Sequence, residues 1–261
     1  MKIAVTGKGG VGKTTVSAVL ARLYAEEGRR VLAADVDPDA NLGQALGFSQ
    51  DELANLTPIS EMGALIAERT GSGKENFGKL FKLNPKVDDI PDKFSIEKNG
   101  VKLLIMGTVD TGGSGCVCPE HVLLKRVVSN LIINRDEVII LDMEAGLEHL
   151  GRGTTDFVDR FIVVIEPGAR SIQTYNKIKQ LAADIGVKKV SVVANKVRSE
   201  DDKQFLQTHI PEGDLLGFIS YSEDMIGADR KGSSPYDAGG KAIDEILIIK
   251  HQIDSDTERN G

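Results

Sequence analysis

Short apolar runs recur along the chain at 3–6, 31–35, 101–106, 138–142, 161–165, 190–195 and 215–219. They are rich in Val, Ile, Leu and Ala and scarcely interrupted by polar positions, the pattern of strands buried on both faces of a parallel sheet. Between them, apolar positions fall three and four apart at 13–27, 120–131, 171–185, 199–208 and 241–252. That spacing predicts helices with one face turned to a core. The alternation predicts an α/β fold, a mostly parallel, helix-flanked sheet of about seven to eight strands. Ligands of such sheets bind outside the carboxyl ends of the strands.

The alternation lapses between Gly47 and Gly100. This stretch shows no convincing strand, contains Pro58, Pro85 and Pro91, and turns at Gly71-Ser72-Gly73. Short helices are expected near 51–56 and 61–69. A structureless loop of that length is uncommon inside a compact domain. The expectation is one domain spanning 1–261 with a helical insertion at about 48–100.

Composition narrows the class. The 261 residues carry a net charge of −7 with no basic block, which argues against a nucleic-acid groove. No apolar run approaches the ~20 residues that span a bilayer. The first strand starts at once and leaves no room for a signal peptide. Two cysteines, two positions apart, cannot frame a disulfide scaffold. A cytoplasmic protein without nucleic-acid or membrane partners is expected.

The first strand ends in Gly7-Lys8-Gly9-Gly10-Val11-Gly12-Lys13-Thr14-Thr15, which completes G-x-x-x-x-G-K-[ST]. Glycines let successive N–H groups turn towards a phosphate chain, and the helix that follows presents its positive end to the same phosphates. Gly9, Gly10, Val11, Gly12, Lys13, Thr14 and Thr15 are thus the expected nucleotide contacts, with Lys13 on the β- and γ-phosphates and Thr14 on Mg²⁺. The second strand ends in three alternating carboxylates, Asp35, Asp37 and Asp39. An attacking water needs such an acceptor, and Asp37 or Asp39 fits; an acidic turn with Asp37 capping the next helix is the bland alternative. The run 138–142 ends in Asp142, the carboxylate expected near the Mg²⁺ sphere.

Lys8 is a second lysine in a loop that needs one. The string Lys8-Gly9-Gly10-Val11-Gly12-Lys13-Thr14-Thr15 resembles the deviant phosphate loop of the SIMIBI-type P-loop NTPases that include MinD, ParA and the nitrogenase iron protein. The resemblance implies that Lys8 crosses a homodimer interface to the partner's nucleotide. It implies that Asp37 orients water in switch I, and that Gly146 offers its N–H to the γ-phosphate in switch II. It also implies that Asn195 and Lys196 form the base-recognition segment. Arg198 stands where guanine readers carry aspartate, so ATP and ADP are the expected nucleotides. Glu166-Pro167 and Ser220-Tyr221-Ser222 are expected to wall the base, although many relatives have proline at the place of Ser220.

Cys116 and Cys118 follow the glycine-rich 112–115. Extended residues two apart project to one side, so both sulfurs can face one point. A tetrahedral thiolate site takes about four ligands, so two chains about a two-fold axis would complete it. With Asn84-Pro85-Lys86-Val87-Asp88 and the 144–153 segment, this Cys-x-Cys resembles the CooC-type accessory ATPases of carbon monoxide dehydrogenase. The resemblance implies an ATP-dependent metallochaperone holding nickel or zinc on Cys116 and Cys118 of both chains. Its homodimer would be promoted by nucleotide and metal, and its client would be carbon monoxide dehydrogenase or acetyl-CoA synthase. His121 and His149 are candidate further ligands or reporters, more simply read as ordinary polar histidines. The competing readings are a partitioning ATPase and an iron–sulfur carrier. The acidic 254–258 tail opposes an anionic membrane, and the Cys-x-Cys spacing differs from the iron protein's distant pair.

Overall fold

The structure, a computed structural model, describes residues 1–72, 81–107, 118–144, 158–187 and 189–258. In chain order the strands are β1 (Lys2–Thr6), β2 (Val31–Val36), β3 (Ile96–Lys98), β4 (Val101–Ile105), β5 (Val138–Met143), β6 (Arg160–Ile165), β7 (Val190–Val197) and β8 (Leu215–Ser220). The helices are α1 (Lys13–Glu26), α2 (Leu42–Ala45), α3 (Gln50–Ala54), α4 (Gly63–Thr70), α5 (Ile90–Phe94), α6 (Pro119–Asn134), α7 (Ala169–Ile185), α8 (Glu200–His209), α9 (Glu223–Arg230) and α10 (Lys241–Glu258). The strands form one sheet in the order β3-β4-β2-β5-β1-β6-β7-β8, parallel throughout except β3 against β4. The mostly parallel, helix-flanked architecture is therefore as the hydrophobic pattern predicts.

β1 shows why the central strands read as unbroken apolar runs. Ile3 and Val5 pack in the layer formed with α1 and α10, while Ala4 belongs to the opposite layer with α6 and α7. A strand covered on both sides has no solvent face on which polar residues would gain anything. The helices start where capping chemistry puts them. Ser199 accepts the Asp202 N–H at 3.2 Å, Ser222 accepts that of Met225 at 3.2 Å, and Ser49 and Glu52 form a reciprocal capping box. Pro119 opens α6 at a position whose N–H has no intrahelical partner.

Two expectations change. The stretch between Gly47 and Gly100, read as strandless, ends in β3, joined to β4 by a two-residue turn with positive φ at Asn99 (52°) and Gly100 (76°). That pair of left-handed residues matches the natural twist of a hairpin. Helix α9, together with the short α2, also lies where no helix was expected, and α5 is a further short helix within the 48–100 stretch. The short helices expected near 51–56 and 61–69 correspond to α3 and α4. Among the described residues no helix is long and apolar enough to cross a membrane.

Candidate nucleotide site

The carboxyl ends of the strands ring a cleft of about 580 Å³. Gly9, Gly10, Gly12, Lys13, Thr14, Thr15, Asp37, Asn195 and Lys196 all line it. Two glycines are required by the shape of the loop. At Gly7, φ is 152° and a Cβ would strike the Val164 carbonyl; at Gly12, φ is 95° and a Cβ would run into the Asn195 side chain. Gly12 is also the N-cap of α1, and no side chain caps that end. The first-turn N–H groups of α1 therefore have no competing carboxylate of their own, the condition for receiving an anion.

Lys13 is only 7% exposed, and its Nζ lies 3.4 Å from Asp37 Oδ2. The other oxygen of Asp37 accepts the N–H of Asp39 at 3.0 Å. Asp37 thus faces the phosphate-loop lysine and does not cap a helix. The first residue of α2, Leu42, instead gives its N–H to Asp35 Oδ2 at 2.9 Å, while Asp37 donates its own N–H to Asp35 Oδ1 at 3.2 Å. Asp35 is the peg on which the 37–42 turn hangs. Its register partner in the sheet is Asp142. Burial, and then the neighbouring Asp142, push the Asp35 carboxyl up to about 8. Asp142 is raised to about 6, chiefly by burial, against the stabilising hydroxyls of Thr14 and Ser17. Thr14 donates to Asp142 Oδ2 at 2.7 Å and Ser17 to Oδ1 at 3.0 Å, so both carboxylate oxygens are engaged from α1.

The base-side residues are tied to the phosphate loop. Asn195 donates to the Val11 carbonyl at 2.8 Å and accepts the Lys196 N–H at 2.8 Å. Lys196 adopts φ 59° and donates to the Gly10 carbonyl at 2.5 Å, with Glu166 3.5 Å away. The register between β7 and β8 shifts across Ala194 to Val197, a bulge that aims both side chains at the loop. Val11 itself is buried behind the loop. Arg198 stacks over the Tyr221 ring at 4.2 Å, and Ser220 is held by both oxygens of Glu245, at 2.6 and 2.8 Å. A serine at 220 therefore ties this wall to α10.

Lys8 is exposed and does not line the cleft. Cys118 is half-buried at the N-cap of α6, apart from the cleft, and His121 lies in the first turn of the same helix. Cys116, Gly146 and His149 lie outside the described residues. Among the described residues no group of three or more His, Cys, Asp or Glu could hold a metal ion. Sequence reasoning missed Ser17, the tethering role of Asp35, and the wall supplied by Met225, Ile226 and Asp229 of α9. Ser17 had a signal, because it sits one turn beyond Thr14 on the same helix face. So did α9, whose Ser222-Glu223-Asp224 start carries a cap followed by two acidic residues.

A glycine-rich loop between a buried strand and a helix, a lysine facing a carboxylate, and a strand-end aspartate held by the loop threonine define a P-loop nucleotide-binding protein. The chain belongs to the CobQ/CobB/MinD/ParA nucleotide binding family, whose model matches residues 2–236, and within it to the CooC-type group. It is 50% identical over 249 residues to the carbon monoxide dehydrogenase accessory protein CooC of Rhodospirillum rubrum, covering 95% of this chain and 94% of that one. An uncharacterized ATP-binding protein of Methanocaldococcus jannaschii is 46% identical over 256 residues, 97% of each chain. Among solved structures, the MinD cell division protein of Aquifex aeolicus superposes with a TM-score of 0.66 at 18% identity, covering 98% of both chains.

Proposed function

We propose that the chain is an ATP-dependent metallochaperone that carries nickel or zinc to a nickel enzyme, carbon monoxide dehydrogenase or acetyl-CoA synthase. One observation carries the reading. A phosphate-loop cleft and a Cys-x-Cys at the start of α6 occur together in a chain half identical to a carbon monoxide dehydrogenase accessory protein. In this reading residues 1–261 are one ATPase domain, with 48–100 as its helical insertion. ATP lies in the cleft with its phosphates on 9–15 and its base near Asn195 and Lys196. Thr14 and Asp142 are hard oxygen donors and would hold Mg²⁺, which supplies positive charge between the phosphates. Lys13 adds to that charge, Asp37 accepts the proton of the attacking water, and the N–H of Gly146 contacts the γ-phosphate.

Lys8, exposed at the loop mouth, reaches the nucleotide of a second copy, so nucleotide favours the homodimer. Cys116 and Cys118 of both copies then bind one cargo ion. The α6 N-terminus favours the negative charge of the thiolates, and their softness selects nickel, zinc or copper over magnesium.

Equilibrium dialysis of nickel and of zinc, with and without Mg²⁺-ATP, tests the reading. One ion per two chains, held more tightly with nucleotide, is expected. One ion per chain that survives Cys116→Ser would move the cargo site elsewhere and overturn it.

A further inference from the structure

Among the described residues, Glu144 is the one that carries β5 onward into the nucleotide cleft. Its main chain is fixed, because the Thr6 hydroxyl donates to its carbonyl at 2.7 Å. Thr6 immediately precedes the phosphate loop, so this bond pins Glu144 beside the loop's start. Residues two apart on a strand project to the same side. Asp142 turns its carboxylate to Thr14 and Ser17 of α1, so Glu144 follows on that side, ~7 Å further out. β2 runs beside β5 in the register Asp35 to Asp142 and Val36 to Met143. The next pair along is Asp37 and Glu144, and both line the cleft.

These carboxylates differ in what neutralises them. Both oxygens of Asp142 accept hydroxyls, and Asp37 faces Lys13 at 3.4 Å. Glu144 is exposed, and its carboxylate has no partner among the described residues. The cleft as a whole is short of cations. Asp37, Asp39, Glu144 and Asp229 line it against Lys13 and Lys196, and Lys196 already lies 3.5 Å from Glu166. A nucleoside triphosphate adds further negative charge, the outermost on its γ-phosphate. A γ-phosphate placed by Lys13 and Asp37 meets an unneutralised carboxylate in Glu144, and like charges a few ångströms apart repel. A divalent cation at Thr14 reverses the sign, because the same carboxylate then favours the ion.

We infer that Glu144 determines which form of ATP this cleft accepts: its carboxylate opposes the γ-phosphate of metal-free ATP and reserves the site for the Mg²⁺ complex. The inference rests on the reading of the cleft as an ATP site and adds a selection rule to it. ADP has no γ-phosphate and meets less opposition. A triphosphate without the ion that offsets the charge of phosphoryl transfer is thereby kept from occupying the cleft.

The test is calorimetric titration of the full chain with ATP and with ADP, each in excess Mg²⁺ and in excess EDTA. For Glu144→Gln, affinity for metal-free ATP should rise roughly fivefold, the scale of an exposed carboxylate acting on a doubly charged phosphate. Affinity for metal-free ADP should change less than about twofold, because the γ-phosphate charge is missing. Mg²⁺-ATP should bind as before or more weakly, so the gain in ATP affinity on adding Mg²⁺ shrinks. Glu144→Lys should carry these changes further, and added salt should reduce them. Glu97→Gln removes another exposed carboxylate, on the edge strand β3 and outside the cleft, and should leave the Mg²⁺ dependence native. If the native chain bound neither ATP nor ADP in either buffer, the ATP reading itself would fall. If it bound Mg²⁺-ATP with a Mg²⁺ dependence that Glu144→Gln left unchanged, or that Glu97→Gln shifted equally, this inference alone would be overturned.

Discussion

The phosphate loop and the start of α6 each follow a glycine-rich stretch of sequence and lead into a helix, yet the two sites differ in construction. Around the loop, one chain supplies contacts from α1, β2, β5 and β7. Lys13 faces Asp37, Asp142 receives two hydroxyls, and Asn195 and Lys196 hold the loop carbonyls. At α6 the one described cysteine, Cys118, occupies the N-cap position without a side-chain capping bond, and the described residues include no group of three or more His, Cys, Asp or Glu that could hold a metal ion. The nucleotide site is pre-organised within a chain; the proposed cysteine site would gain its donors through association. A pre-organised site loses affinity locally when one residue changes, whereas a shared site responds to anything that changes association.

The harshest way to break the contrast is Lys13→Ala. Removing a buried cation that faces Asp37 should weaken ATP and ADP by about a hundredfold, on the order of 3 kcal/mol for a desolvated charge contact, as read by calorimetry. If cargo binding depends on the nucleotide-promoted pair, metal affinity should fall with it.

Cys118→Ser is the converse. Metal affinity should drop at least about tenfold as one thiolate donor per chain is lost, while ATP binding stays native because Cys118 lies outside the cleft. Simultaneous loss of both would mean that the two regions form one cooperative unit and that the contrast fails.

Gly12→Ala sharpens the loop side. The residue sits at φ 95° against Asn195. Strain and clash should cost about 1–3 kcal/mol, visible as a lower urea midpoint without nucleotide.

Asp35→Asn is followed as stability against pH in the presence of a chelator, and it tests a slope and not a single loss. Asp35 is raised to about 8 in the fold and titrates near 4 when unfolded. Between those values the folded state holds the proton that the unfolded state has released. Stability of the native chain should therefore fall as pH rises through that window, by up to roughly 1.4 kcal/mol per unit. The asparagine variant should lose this slope. An identical slope in both proteins would assign the pH dependence to another group.

How much of this was legible in the sequence follows from how local each signal is. The phosphate loop is contiguous, and its letters are demanded by backbone geometry, so Gly12 and Lys13 could be read directly. Asp142 closes an apolar run and was equally visible. Asp35 was visible as a carboxylate but not as a tether, because its role depends on Leu42 returning to it seven residues later. Asn195 was read against a base, while the fold adds a bond to Val11 from a residue 184 positions away, which no local pattern carries. The β3–β4 hairpin was missed although Asn99-Gly100 is a strong turn signal. Its first strand is three residues long and carries Glu97 and Lys98, too short for alternation to register.

That short strand has a consequence for crowding. A sheet edge offers unpaired N–H and C=O groups to any second edge, and long flat edges are where chains stick irreversibly. Here one edge ends in a three-residue antiparallel strand whose Lys98 is committed to Glu52 at 2.7 Å. At the other edge, Gly217 of β8 lets Ile249 of α10 close down on the strand, where a Cβ would collide with it. The β3 end of the ladder is thus a poor template for strand addition, while at β8 it is the face that is closed. At the β3 end a second copy finds only three residues of ladder to extend, so sticking through this edge is disfavoured.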